Sequence, residues 1–210
     1  MKKIFFSVLV ISAFTFIACN NGGSKNEKEG HDMNKMNKDT TQQAATTDDK
    51  EIKVVPVTYA NVDAKAAASV KEIVDHYLHL KNALVNENGS DAAAASKEMA
   101  QAIAKVDKSL FTADQKKIYD DIEDDLKEHA EHIGSNGGDI KHQREHFSMM
   151  SENIYDLVKA FGGRQALYHD HCPMANDNKG AMWLSEMKEV KNPYFGGKMN
   201  ECVKVMEVIK

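Results

Sequence analysis

Four runs of apolar residues, recurring at intervals of three and four and separated by short polar breaks, constrain this chain more than any other feature. That period keeps each run on one face of a helix, and such a face must be buried against a neighbour. The first run holds Val70, Ile73, Val74, Tyr77, Leu78, Leu84 and Val85, and Asn88-Gly89 stops it. The second starts with Ser90 or Asp91 as N-cap and buries Met99, Ala102, Ile103 and Val106, with Leu110 just beyond. Thr112 and Gln115 make a capping box at the head of the third, whose stripe is Tyr119, Ile122, Leu126 and Ile133. Asp139 caps the fourth, which carries Phe147, Met150, Ile154, Leu157, Val158 and Phe161 until Gly162-Gly163 ends it. Connections this short make consecutive helices antiparallel neighbours. The expected fold is all-α: an up-and-down four-helix bundle with an irregular Cys/Met/His-rich C-terminal extension and short edge strands.

Each Leu, Ile or Phe buried in these stripes contributes about 1.5–3 kcal/mol, so the helices can hold together without a metal or a disulfide. What precedes them is different in kind. Lys2 and Lys3 lead an apolar run from Ile4 to Ile17, closed by Phe16-Ile17-Ala18-Cys19, which resembles a bacterial lipoprotein signal peptide with Cys19 as the lipidated residue. A run of roughly 14 apolar residues is short of the ~20 a spanning helix needs. Residues 1–18 therefore read as a leader, 19–50 as a tether and 51–210 as the working domain, lipid-anchored in the cell envelope and facing the periplasm or the outside. The tether is dominated by Asn, Gly, Ser, Lys, Glu, Thr and Gln, too polar to offset the entropy of ordering it. Within it, His31, Met33 and Met36 are spaced to hold copper(I) loosely, although a polar linker that carries two methionines is the simpler reading. Val54, Val55 and Val57, interrupted by Pro56, predict a short extended segment at a sheet edge, strapped near the C-terminal strand.

Formal charge is −5, with 27 Lys and Arg against 32 Asp and Glu. That balance argues against a nucleic-acid partner, which would demand a basic face.

Chemistry concentrates in Tyr168 to Cys202. This stretch holds Cys172 and Cys202, the two thiols left once Cys19 is acylated, the only Trp of the chain, and His169, His171, Met174 and Met199. Thiolate, thioether and imidazole form a soft donor set that suits copper(I), and zinc less well. Pro173 keeps the chain extended between Cys172 and Met174, so both side chains project to one side. His169 and His171 share a spacing of two but the opposite parity, so two subsites, or one site completed by the helices, are equally open. On the fourth helix His142, His146 and Met149 lie at spacings of four and three, beside the core stripe. His146 can complete a site if the C-terminal segment folds across that face. The simpler alternatives are a structural bridge between Cys172 and Cys202, worth about 3–4 kcal/mol for a loop of about 30 residues in an oxidising compartment, and packing for Met182, Met187 and Met206. His76 with His79, and His129 with His132, read as ordinary polar helix faces. Trp183, Tyr194 and Phe195 are expected to anchor the segment on the helices.

The blocks CPMANDNKGAMWLS and NPYFGGKM, the latter followed by Cys202, together with QREHFSMMSENIY on the fourth helix, resemble a family of unknown function. Its members occur as free lipoproteins and as C-terminal extensions of CusB-type copper and silver efflux adaptors in Bacteroidetes-like bacteria. The resemblance covers roughly Ala64 to the end. It implies heavy-metal handling, and carries over to His146, Cys172, Met174, Met199 and Cys202. The chain departs from the family where Val203, rather than Gly, follows Cys202.

No haem-attachment, zinc-protease or phosphate-loop motif is present, and no general base is placed by spacing, so an enzyme is not expected. Two readings remain. In the first, the protein binds copper(I), with silver or zinc as alternatives, as chaperone, buffer or accessory of an efflux adaptor or transporter. In the second it is a structural domain that docks on an envelope complex, its cysteines stapling a loop.

Overall fold

A computed structural model describes residues 52–210. The leader, Cys19 and the tether with His31, Met33 and Met36 lie outside the described residues.

The chain is mostly helical with a small mixed sheet. Strand β1 (Lys53–Val55) leads to four long helices, α1 (Ala64–Val85), α2 (Gly89–Ala104), α3 (Ala113–Ser135) and α4 (Ile140–Phe161). Strand β2 (Leu167–Cys172), the one-turn α5 (Ala175–Asn178), β3 (Ala181–Ser185) and β4 (Lys204–Ile209) follow. Each long helix packs on the next, and α4 returns to α1. All four stripes face inward: Ile73, Met99, Leu126 and Phe147, one from each helix, are fully buried in one continuous core. Among the described residues no helix is long and apolar enough to cross a membrane.

Local chemistry sets the helix ends. Asp63 accepts from the amides of Lys65 and Ala66, and Asp139 from that of His142, each meeting donors that the first turn leaves free. The capping box of Thr112 and Gln115 forms in both directions. Helix α2 corrects the expectation: its N-cap is Asn88, whose side chain accepts from Asp91, rather than Ser90 or Asp91. Helix α1 stops at Val85, so Asn88 is free to open the next helix instead of closing this one. At the end of α4, Gly162 takes φ +77, a value that a Cβ would disfavour.

The extension is irregular only in part, because short strands run through it. Its three strands and β1 form one sheet in the order β1-β4-β2-β3, with β1 parallel to β4 and the other pairs antiparallel. Local pattern does not reveal such pairing, because β2 and β4 meet across more than thirty positions of intervening chain and a register shift between His169 and Asp170 breaks their alternation. The strap of β1 onto β4 is as the sequence predicts.

An aromatic chain joins sheet to helices. Tyr77 stacks on Phe147 at 5.3 Å between centroids, Phe147 meets Tyr194 at 5.7 Å, and Tyr194 meets Trp183 edge-on at 5.8 Å. Trp183 and Tyr194 are thus the expected anchors, whereas Phe195 is only partly buried. Met206, expected to pack, is 51% exposed.

Candidate functional site

Helices α3 and α4 are joined by the short turn around Gly137 and Gly138. In an antiparallel pair, residues equidistant from the turn lie at one level, so His129 faces His146, and His132 and His142 meet one turn nearer the glycines, 6.1 Å apart. His146 sits at the centre of the group. Its ring stacks on His132 at 4.4 Å with a 12° interplanar angle, meets His142 edge-on at 4.6 Å, and lies 5.4 Å from His129. Nδ1 of His129 and Nδ1 of His146 are 3.2 Å apart, so one ring donates and the other accepts.

His132, His142 and His146 each offer a ring nitrogen, all within 4.8 Å of one another, a spacing that one ion can bridge. The protonation state suits a ligand. Desolvation, reinforced by the charges of the three neighbouring histidines, lowers the pKa of His146 to about 4, and burial lowers that of His129. A neutral imidazole at pH 7 has a lone pair to give. Glu145 Oε2 lies 3.7 Å from His142 Nδ1, near enough to orient that ring through a small adjustment.

Structural duties account for most of the surrounding motif, and this singles His146 out. Gln143 donates to the carbonyls of Gly89 and Ile133 at 2.9 and 3.3 Å, tying α4 to the head of α2 and the end of α3. Arg144 donates to the carbonyls of Pro193 and Leu84 at 2.8 and 3.1 Å. Phe147 is core. Of these five residues only Glu145 and His146 have no such task.

The other expected ligands do not join this cluster. Cys172 ends β2, fully buried, and its sulfur lies 3.6 Å from that of Cys202 in the 3-10 turn Asn200–Cys202; both thiols are free. Cys202 also donates to the carbonyl of Met199 at 3.0 Å, and burial with the nearby Cys172 thiol raises its pKa. Met174 and Met199 line a separate cavity of about 380 Å³ together with Lys141, Arg144, Glu145, Tyr194 and Phe195. His169 packs on the Tyr155 ring at 4.7 Å, its buried Nδ1 unbonded and 3.9 Å from Glu207. His171 lies over Gly180, where an added Cβ would come within 2.9 Å of its Nε2. Among the described residues no His or carboxylate joins the two thiols in a three-donor group. The single site expected to unite His146, His169, His171, Cys172, Met174, Met199 and Cys202 is therefore divided into an imidazole cluster, a dithiol and a thioether-lined cavity.

His129 and His132 read as a polar helix face, and His132 is indeed exposed, yet His132 is also one of the three clustered donors and His129 stands against His146. Their mirror spacing to His146 and His142 about the Gly137-Gly138 turn is the signal that finds them. His76 and His79 do behave as a polar face, pairing with Glu98 and Asp91 of α2 at 3.4 and 3.1 Å.

Residues 73–166 match the model of a family described as "Protein of unknown function (DUF3347)". The matched stretch holds all four clustered histidines and ends before β2, so it includes neither thiol, Met174 nor Met199. No curated protein and no solved structure matches the chain.

Proposed function

We propose that this protein is a metal-binding domain of the cell envelope, and that His132, His142 and His146 hold the ion. The observation that carries this reading is their convergence within 4.8 Å on two helices that Gln143 ties together through the carbonyl of Ile133. Imidazole suits copper and zinc. Copper(I) is the proposed cargo, with silver or zinc as the alternatives, because soft sulfur donors lie elsewhere in the same domain. The long helices are read as an up-and-down four-helix bundle, supported by their sequential packing and the return of α4 to α1. Lipidation at Cys19, a membrane-anchored position and service to a heavy-metal efflux system rest on the leader pattern and on the family resemblance. The proposed role is chaperone or buffer rather than enzyme.

Titration of the reduced, purified chain with copper(I) against a competing chelator tests the assignment, with zinc in parallel. His142→Ala with His146→Ala should remove one bound equivalent and leave the helical circular dichroism unchanged. Equal stoichiometry and affinity in that variant would overturn it.

A second reading has its own support. The 3.6 Å separation of the Cys172 and Cys202 sulfurs, with no third His or carboxylate donor beside them, also suits two cysteines poised to form a disulfide that staples an interaction domain docking on an efflux or envelope complex. Isolation of the native protein with that bond intact and no tightly bound metal would favour it.

A further inference from the structure

His129 is the member of the imidazole group that the three-donor site leaves unused. It does not join the three whose ring nitrogens lie within 4.8 Å of one another. Its Nδ1 stands instead 3.2 Å from Nδ1 of His146, with the two rings tilted at 57° and their centroids 5.4 Å apart. This contact differs from that of His132 with His146, whose planes differ by only 12°. Stacked rings meet by their faces, whereas the 3.2 Å contact joins nitrogen to nitrogen, where a proton can lie between them. The backbone holds the pair together. His129 lies beside Ala130 on α3 and His146 beside Phe147 on α4, and both neighbours are fully buried. Gln143 donates to the Ile133 carbonyl at 3.3 Å, which ties the two helices one turn away. The partner that the fold supplies for Nδ1 of His146 is thus another imidazole, in place of the carboxylate, carbonyl or water to which ligating histidines usually donate.

We infer that His129 is a positioning residue for the ion site: it engages Nδ1 of His146 through a hydrogen bond and leaves Nε2 of His146 as the nitrogen that holds the ion. The inference deepens the metal-binding reading above and rests on it. Two nitrogens 3.2 Å apart need one proton between them, and two arrangements supply it. If His129 donates, His146 carries its own proton on Nε2, and neither of its nitrogens has a lone pair to spare. If His146 donates from Nδ1, its Nε2 is bare. Only the second arrangement makes His146 a ligand, so His129 is the acceptor in the loaded site and keeps its own proton on Nε2. The bond also fixes the orientation of the His146 ring, which otherwise rests on stacking against His132 and the edge contact with His142. A hydrogen bond at the far nitrogen raises the basicity of a ligating imidazole, and losing such a partner weakens metal binding about 10–100-fold. An imidazole acceptor does this without adding a negative charge to the site.

The test uses the full chain, labelled with ¹⁵N at histidine, and zinc, which has no redox chemistry and a closed d shell. In the zinc-loaded protein His146 should show a metal-bound Nε2 and a proton on Nδ1, and His129 an unprotonated Nδ1 with no metal shift. His129→Phe keeps an aromatic ring and removes the acceptor. Competition against a chelator should find zinc held about 10–100-fold more weakly in that variant, with the helical circular dichroism unchanged. His129→Asn, whose carbonyl oxygen can stand near the place of Nδ1, should recover most of the loss. Such recovery separates positioning from packing, because Asn fills the space less well than Phe. Unchanged affinity in His129→Phe would overturn the proposal, as would an Asn variant that binds no tighter than Phe. The parent spectrum decides even where a variant does not fold: zinc on Nδ1 of either His129 or His146 would overturn the proposal. Zinc still bound in the variant lacking His142 and His146 would overturn the reading above and this inference with it. Zinc lost there but held equally well by His129→Phe would overturn this inference alone.

Discussion

Asp170 is the group whose burial should be most visible in solution. It lies on β2 between His169 and His171, is wholly inaccessible, and neither carboxylate oxygen has a hydrogen-bond partner. Desolvation raises its pKa from the ordinary 3.8 to about 7, with the Lys81 ammonium acting in the opposite direction. The sign follows directly. Below pH 4 the carboxyl is protonated in both folded and unfolded chains and costs nothing. Between pH 4 and 7 only the unfolded chain ionises it, so stability falls as pH rises, and above 7 the loss is complete. At about 1.4 kcal/mol per pH unit the full loss is about 4 kcal/mol. Asp170→Asn removes the ionisation and leaves a neutral amide whose burial does not vary with pH. Urea unfolding of reduced, metal-free protein from pH 4 to 8 should therefore show the variant gaining about 4 kcal/mol on the parent across that range. A difference between the two proteins that stays constant with pH would refute the argument, and would mean that Asp170 is solvated or paired in solution.

Three further outcomes are expected. Lys81→Met strips the buried ammonium that donates to Glu186 at 2.7 Å and should destabilise by about 2–4 kcal/mol, most of it recovered when Glu186→Gln is added; no recovery in the double-mutant cycle would refute the pairing. Thr112→Ala removes one half of the capping box and should cost about 1 kcal/mol in chemical denaturation, with the midpoint shifted and the slope unchanged. In native reduced protein, alkylation followed by mass spectrometry should find Cys202 labelled well before the fully buried Cys172; the reverse order would contradict the placement of Cys172 at the inner end of β2.

The helices were legible because their signals are local. The stripe from Tyr119 to Ile133 repeats within one element, and the Thr112–Gln115 box and the Asp139 cap lie within a single turn, so neighbouring residues carry the whole argument. The sheet was not. Leu167–Cys172 is rich in His and Cys, and its strand character depends on β3 and β4, whose pairing is non-local and passes through a shift of register. The same distinction governs the site. His146 was visible as a helix-face residue beside the core stripe, but His132 and His142 matter because a two-glycine turn folds α3 back along α4. Read singly, His129 and His132 are a polar face; paired through the turn, they are half of a cluster. The soft residues of the extension misled by proximity in sequence. His169 and Cys172 are three positions apart, yet one packs on the Tyr155 ring while the other faces the Cys202 thiol.

The division of donors follows from what each element can hold still. Imidazoles at one level of a helix pair are positioned by backbone registry, here tied by the hydrogen bond from Gln143 to the Ile133 carbonyl, so their geometry is set by the scaffold itself. Thiols and thioethers sit instead at a strand end and on tight turns, where Met199 and the residues 176–178 need unusual backbone angles to keep their places. Soft ions tolerate few ligands and irregular geometry, and suit such a scaffold, whereas borderline ions gain from the stiffer one. Glu145 touches both regions, lining the cavity and standing 3.7 Å from His142. The stiffer support is thus the one on which the proposed ion site is placed, and the strand end and turns keep the sulfur donors apart from it.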